Sequence, residues 1–212
     1  MENTTNNQEV LAVSGFTGIQ FKAVGKILLS QGDVESVTVQ ADPEVRARIH
    51  AEVKDSVLVI TQDTDWKDWT GFRLIDKGMT VFHIVMKDIK SLAISGVGNI
   101  DCASVKTDSL ALALSGPGTI TIGSVTVNTL SLDISGVGSV DIAGTCADQT
   151  ISLSGAGNYQ GSRMESAHTT IKLSGVGNAK IWANESLDAS ISGAGGIEIG
   201  RASCRERVYG LV

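Results

Sequence analysis

Asp101 and Asp141 are the residues of this chain that most invite a chemical reading. Each lies three residues beyond the second glycine of a Ser-Gly-x-Gly tetrad, and the two tetrads stand two repeats apart. On strands stacked ~4.8 Å apart, two repeats separate their backbones by roughly 9–10 Å. Two carboxylates ~6.5–9.5 Å apart are the arrangement of an inverting glycosidase. That makes a polysaccharide hydrolase or lyase one reading of the pair. The same column continues through Thr121, Gln160, Lys180 and Glu198, a mixture typical of a solvated strand face, and no Arg or His shares its phase. The residues therefore read as a solvated face, with no catalytic residue assigned.

Six serines also recur, at Ser95, Ser115, Ser135, Ser154, Ser174 and Ser192. A nucleophilic serine needs a base within hydrogen-bond reach, yet His50, His83 and His168 fall in unrelated phases. The hydroxyls are expected to bond along the stack and satisfy backbone groups at a turn. The following Gly-x-Gly resembles a phosphate cradle, but no helical pattern follows any copy, as the dinucleotide fingerprint requires. A calcium-binding nonapeptide repeat needs a nine-residue period, and a threonine ladder of the ice-binding kind is limited to Thr119 and Thr121. Cys102, Cys146 and Cys204 lack metal-site or redox spacing and are expected as small buried hydrophobes. The expectation is no cofactor and no metal.

The third candidate is aromatic. Residues 63–78 form a polar excursion carrying Trp66, Trp69 and Phe72. It reads as a loop hanging from a sheet, and exposed tryptophans there would make a binding loop for sugar or protein. The alternative is that they fold back as local core.

The elements that position these residues follow from the repeat. Six tetrads place Ser95, Gly96 and Gly98, then Ser115, Gly116 and Gly118, then Ser135, Gly136 and Gly138. Ser154, Gly155 and Gly157, Ser174, Gly175 and Gly177, and Ser192, Gly193 and Gly195 complete the set. The intervals are 20, 20, 19, 20 and 18 residues. A period near twenty denotes one small unit stacked repeatedly. Just before the tetrads stand Ile94, Leu114, Ile134, Leu153, Leu173 and Ile191, with Leu92, Leu112, Leu132, Ile151, Ile171 and Ala189 two residues earlier. Beyond the tetrads come Ile100, Ile120, Val140, Tyr159, Ala179 and Ile197. Cys102, Ile122, Ile142, Ile181 and Ile199 follow, in a column broken by Gly161. Period-two spacing sends these columns to one face.

The fold expected is an all-β, single-stranded parallel β-helix of about six ~20-residue rungs, right-handed as parallel crossovers are. Each rung is read as two short strands joined at a glycine corner, with glycine required for positive φ and close backbone approach. Residues 1–9 read as a disordered lead-in. Residues 10–200 form one domain, with 10–86 an irregular β-rich cap and 87–200 the rungs. In the cap, Ile19, Phe21 and Ala23, then Val37 and Val39, then Val57, Val59 and Thr61 mark the alternation. Residues 201–212 lack alternation and read either as a capping segment or as a non-native tail.

The formal net charge of −6 and the absence of a basic stripe exclude nucleic acid as the expected partner. No apolar run reaches the ~18 residues of a membrane span, and the first eight residues do not form a signal peptide. The tandem Ile/Leu-Ser-Gly-x-Gly rungs, the entry Phe16-Thr-Gly-Ile-Gln-Phe21 and the stretches Val37–Val39 and Val57–Ile60 resemble the GIN domain, an auto-transporter adhesin head domain. The resemblance runs over about residues 10–200. It implies a β-helical, exported protein of the periplasm or cell surface with no established activity. The expected role is a non-enzymatic envelope module that binds a surface glycan or protein. The alternative is a scaffold that self-associates end to end, as bactofilin-like solenoids do.

Overall fold

Stacking is forced on such a chain because one coil alone buries too little. Ordering ~20 residues costs on the order of 30 kcal/mol, and four or five aliphatic side chains cannot offset that until neighbouring coils cover them. A computed structural model describes residues 8–63, 79–200 and 205–210, the last as backbone alone. Strands β1 (Gln8–Leu11), β2 (Gly18–Lys22), β3 (Val24–Gln31) and β4 (Ser36–Gln40) precede a single helical turn, α1 (Pro43–Arg46). Then come β5 (Ile49–Lys54), β6 (Val57–Gln62), β7 (Val81–Met86), β8 (Ser91–Ile94), β9 (Val97–Lys106) and β10 (Ser109–Leu114). The long strands β11 (Pro117–Ile134), β12 (Val137–Leu153), β13 (Ala156–Leu173) and β14 (Val176–Ile191) follow, with β15 (Ala194–Ile199) and β16 (Arg205–Gly210) at the end.

Together they form one sheet wound on itself into a parallel solenoid of about five turns. The strand after each corner, the leading limb, pairs in register with its equivalent one coil away, as Ile120 does with Ile100 and Val140. The strand before each corner, the trailing limb, does the same, as Leu132 does with Leu112 and Ile151. The columns read from the sequence therefore stack as expected, and Ile94, Ile100, Ile120, Ile134, Val140 and Leu173 are fully buried. Each regular coil is one nearly continuous strand rather than two short ones. The chain bends between the limbs without breaking, through an irregularity such as that between Ile122 and Val125.

The stack continues into the amino-terminal part, where no tetrad is written. β2 pairs in parallel with β8 and β3 with β9, so Phe21 lies over Ile94, Val24 over Val97 and Gly25 over Gly98. Lys22-Ala23-Val24-Gly25 is thus a degenerate corner. β6 and β7 form one further layer, pairing in parallel with β2 and β3. The layer order is not the chain order. β2–β3 lies between β6–β7 and β8–β9.

The end is closed by antiparallel strands, β5 on β6, β4 on β7 and β1 on β4. Phe21 and Phe82 meet edge to face beneath it, their centroids 5.4 Å apart. Asp42-Pro43 opens α1, where the Asp42 carboxylate accepts from the Glu44 N–H at 2.9 Å.

Three expectations need adjustment. Gln8 and Glu9 belong to β1, inside the stretch read as lead-in. In β6 the inward set is Leu58 and Ile60, not Val57, Val59 and Thr61. Both sets are suited to strands, so alternation alone could not select the face, and the larger side chains take the core. The tail, which shows no alternation, supplies β16, paired in parallel with Ser186–Ile191. The edge of β14 offers backbone groups that pair whatever the side chains.

Candidate functional site

At the first five tetrad corners one carbonyl of the preceding coil accepts two successive N–H groups. Ser115 and Gly116 donate to Ile94 at 2.9 and 3.2 Å, Ser135 and Gly136 to Leu114 at 3.0 and 2.9 Å, and Ser154 and Gly155 to Ile134 at 2.9 and 3.1 Å. This forked bond draws adjacent backbones together. A Cβ on Gly138 would stand 1.9 Å from the Gly118 carbonyl oxygen, and one on Gly116 2.0 Å from that of Gly96. Close approach is therefore why the tetrads carry glycine. Positive φ, expected at these corners, occurs among the tetrad glycines only at Gly177. The serine hydroxyl adds its own bond at Ser115, to the Ile94 carbonyl at 3.2 Å.

The corner turns the variable residue of each tetrad outward. Val24, Val97, Val137 and Val176 keep 48–62% of their surface in solvent. Pro117, Ala156 and Ala194 occupy the same exposed position in the other coils. The register stacks Val24 on Val97, and Pro117, Val137, Ala156, Val176 and Ala194 in succession. The result is an apolar seam one residue wide, running the length of the stack. Sequence reasoning missed it, although the signal was present: every x of Ser-Gly-x-Gly is Val, Pro or Ala.

Two polar columns run beside the seam on the leading limbs. The first contains Asn99, Thr119, Ser139, Asn158 and Asn178. Asn158 and Asn178 use Oδ1 to accept the next coil's backbone N–H groups, at 3.0 and 3.1 Å. The second holds Asp101 and Asp141. Lys26 Nζ lies 2.6 Å from the Asp101 carboxylate, Arg163 3.1 Å from Asp141, and Lys180 3.0 Å from Glu198. An arginine does accompany Asp141, contrary to the sequence reading, because the bend of β13 carries Arg163 back over the limb. Each aspartate faces a cation from another coil rather than its fellow, which is a ladder of surface ion pairs and not a converging acid–base pair.

Trp66, Trp69 and Phe72 lie outside the described residues. Their segment departs after Gln62 and returns before Thr80. Both anchors sit where a corner belongs in the layer above Val24. Gln62 Oε1 accepts from the Val24 N–H at 3.1 Å, and the Thr80 carbonyl accepts from Lys26 at 2.8 Å. Gln62 and Thr80, the described residues on either side of the excursion, thus lie at the corner position at the head of the seam.

The remaining reactive groups are accounted for in the interior or on the surface. His50 reaches Asp63 at 2.9 Å, and His168 reaches Ser186 at 2.9 Å. Cys102 and Cys146 are buried thiols in separate columns, as expected, and Cys204 lies outside the described residues. Burial pushes both buried thiols up to about 11 from 9.0, and at Cys146 the charge of Asp148 adds to it. At pH 8 a two-unit rise leaves ~100-fold less thiolate than in the unfolded chain. Iodoacetamide is therefore expected to label peptides containing Cys102 and Cys146 at least that much more slowly in the native protein than in urea, as read by mass spectrometry. The unfolded thiols ionise first, so these two groups withdraw stability as pH climbs from about 9 through 11.

A buried polar chain also escaped the sequence reading. The Gln149 amide donates to the Tyr159 hydroxyl, Thr169 donates to Gln149 Oε1 at 3.4 Å, Ser166 meets Thr169 at 2.5 Å, and Ser166 donates to the Trp182 carbonyl at 2.9 Å. Burial holds the Tyr159 phenol protonated far above its ordinary range. The Tyr159 ring fills the place where Gly161 breaks the fourth column, since a Cβ there would stand 2.4 Å from ring atoms.

Among the described residues, no three His, Cys, Asp or Glu side chains gather as a metal would require, and no helix is long and apolar enough to cross a membrane. Among the described residues are two concavities. One of about 490 Å³ lies on the last leading limbs, between Asn158, Asn178, Lys180 and Glu198. The larger, about 650 Å³, opens beside the bend of β9 and β10, between Asp88, Lys90, Lys106 and Asp108.

The architecture has solved counterparts. A structure described as a putative adhesin from Bacteroides fragilis superposes with a TM-score of 0.86 at 24% identity, covering 96% of this chain and 94% of that one. A putative adhesin from Parabacteroides merdae gives 0.69 at 18% identity, over 96% and 92% of the two chains. A protein from Parabacteroides distasonis described as a putative lipid binding protein gives 0.70 at 17%, over 97% and 95%. At these identities the likeness establishes the fold. No curated protein matches the chain. The family described as "Putative auto-transporter adhesin, head GIN domain" matches residues 15–201. The stacked Ser-Gly-x-Gly corners and the cap above them are therefore those of a GIN domain, and the chain belongs to that family.

Proposed function

We propose that this GIN domain is a non-enzymatic binding module of the cell envelope, exported to the periplasm or cell surface, that grips a protein partner along its seam. The observation that carries this reading is the seam itself. Seven aliphatic side chains stay in solvent at the same corner position of successive coils. A stripe one residue wide is too narrow for a standard interface, which buries about 800 Å² on each side. It suits an extended peptide segment, with aliphatic contacts at the seam and hydrogen bonds to the adjoining Asn, Thr and Ser column. A glycan chain lying on the same face is the competing occupant.

The guarded cap end supports a binding module over an end-to-end scaffold. Its outer strand β5 carries His50, Glu52 and Lys54 on one face, and charged edges of this kind discourage strand addition.

The test is a protein and glycan array probed with the wild-type domain and with the double variant Val137→Lys/Val176→Lys. Protein hits that lose at least ~10-fold in affinity on seam substitution are the expected result, since burying unpaired charge costs more than the ~1.4 kcal/mol of a tenfold change. Silence of the wild type across the array, or hits on glycans alone, would overturn the reading.

A further inference from the structure

We infer a second binding site, independent of the seam, in the 650 Å³ concavity at the junction of cap and stack, and assign it a neutral, polyhydroxylated ligand: a short carbohydrate. The cavity has a structural cause. Gln31 pairs with Met86, and Leu29 pairs with Cys102, so Met86 lies at the level of Ser104. Leu92 lies at the level of Leu112. The chain therefore crosses from Met86 to Leu92 in six residues where the coil below takes eight, from Ser104 to Leu112. The next coil also takes eight, from Ser124 to Leu132. The shorter path cuts inside the bend and leaves a ledge.

The ledge is pre-formed. Gln31 ties its two walls together. Its Nε2 donates to the carbonyls of Lys87 and Lys106 at 3.1 and 2.9 Å, and its Oε1 accepts from the Lys106 N–H at 2.9 Å. Thr107 donates to Asp88 Oδ1 at 2.7 Å, which fixes that carboxylate in the cavity wall. A site held in place this way spends little binding energy on ordering itself, and its volume falls in the range of small-molecule sites.

The lining selects the ligand class. Asp88 and Asp108 balance Lys90 and Lys106, so the cavity presents no net charge to draw an anion or a cation. Asp88 and Lys90 lie 3.5 Å apart, whereas Lys106 and Asp108 form no ion pair with any described residue. An unengaged ammonium offers donors only and an unengaged carboxylate acceptors only. Ser109, Thr126 and Asn128, which also face the cavity, offer both. A ring bearing several hydroxyls answers such a mixture, since each hydroxyl gives one proton and accepts two. No aromatic residue lines the cavity, which disfavours a lipid tail or other large hydrophobe.

The experiment is a ligand-observed NMR titration of the intact domain with maltotriose, cellotriose and chitotriose, alongside inorganic phosphate and tetramethylammonium as charged probes. Saturable binding of at least one trisaccharide is expected, weakened ~10-fold or more by Lys106→Ala and by Asp108→Ala, since each removes a hydrogen bond to a charged group. Lys172→Ala removes a charge elsewhere on the stack and should leave binding intact. All three lysine and aspartate positions are exposed, and thermal unfolding confirms that each variant folds. No trisaccharide binding at ~10 mM, far above a millimolar Kd, overturns the assignment. Binding unaffected by both ledge variants, or preference for either charged probe, does the same. Val137→Lys/Val176→Lys separates the two sites: it should weaken seam binding at least ~10-fold and leave trisaccharide binding unchanged.

Discussion

Gly138→Ala is expected to cost at least ~3 kcal/mol of stability, seen as a large fall in the urea midpoint with an unchanged slope. The new Cβ would lie 1.9 Å from the Gly118 carbonyl oxygen and 2.9 Å from its carbon. Both are backbone atoms held by the ladder, so no rotamer change relieves the contact. The coils must part at the corner, stretching hydrogen bonds worth ~1 kcal/mol each on top of the overpacking strain. Gly196→Ala is the control. Its Cβ meets nothing nearer than the Asn178 side-chain oxygen at 3.5 Å, and a change within ~0.5 kcal/mol is expected there. Equal losses at the two positions would refute close approach as the reason for the corner glycines.

Tyr159→Phe should cost ~1–3 kcal/mol, because it strips the Gln149 amide of its buried acceptor. The phenyl ring still fills the space over Gly161, so the loss reports on the hydroxyl alone. Gln149 stands between Leu130 and Thr169 in its column, with Leu187 the next member. Adding Gln149→Leu removes the stranded amide and restores an aliphatic column, so most of the loss should return. Thr169 retains Ser166 as a partner in that double variant. A double-mutant cycle isolates the coupling. Strict additivity of the two losses would show that the buried polar chain is not one unit.

How much was legible follows from what each residue type can disguise. The corners announced themselves because a carbonyl 2 Å away admits only glycine, so the sequence cannot drift there. The degenerate corner at Lys22-Ala23 stayed hidden because that constraint lapses. The Cβ of Gly96 would strike the Ala23 carbonyl, but in the layer above Ala23 the chain leaves at Gln62 instead of turning. Ala23 therefore keeps its methyl, and the signature disappears. Asp101 and Asp141 were correctly placed in one column. Their partners Lys26 and Arg163 could not be foreseen, because one comes from an unmarked coil and the other from the irregular bend of β13. The seam was written plainly in the sequence but masked by its setting, since a single apolar residue inside a turn reads as incidental until register stacks seven of them. The ledge depends on a difference of two residues between a crossover and a coil, and only the strand pairing reveals it.

The interleaved cap has a consequence for a chain that emerges amino-terminus first. β2 and β3 become flanked on one side by β6 and β7 and on the other by β8 and β9. β6 and β7 are made in time to cover one side, but the other edge of β2 stays bare until β8 is complete at residue 94, and that of β3 until β9 follows from residue 97. Unpaired edges recruit other chains readily. A nascent domain of this design calls for a holding chaperone through nearly its first half, after which every added coil finds a finished template waiting.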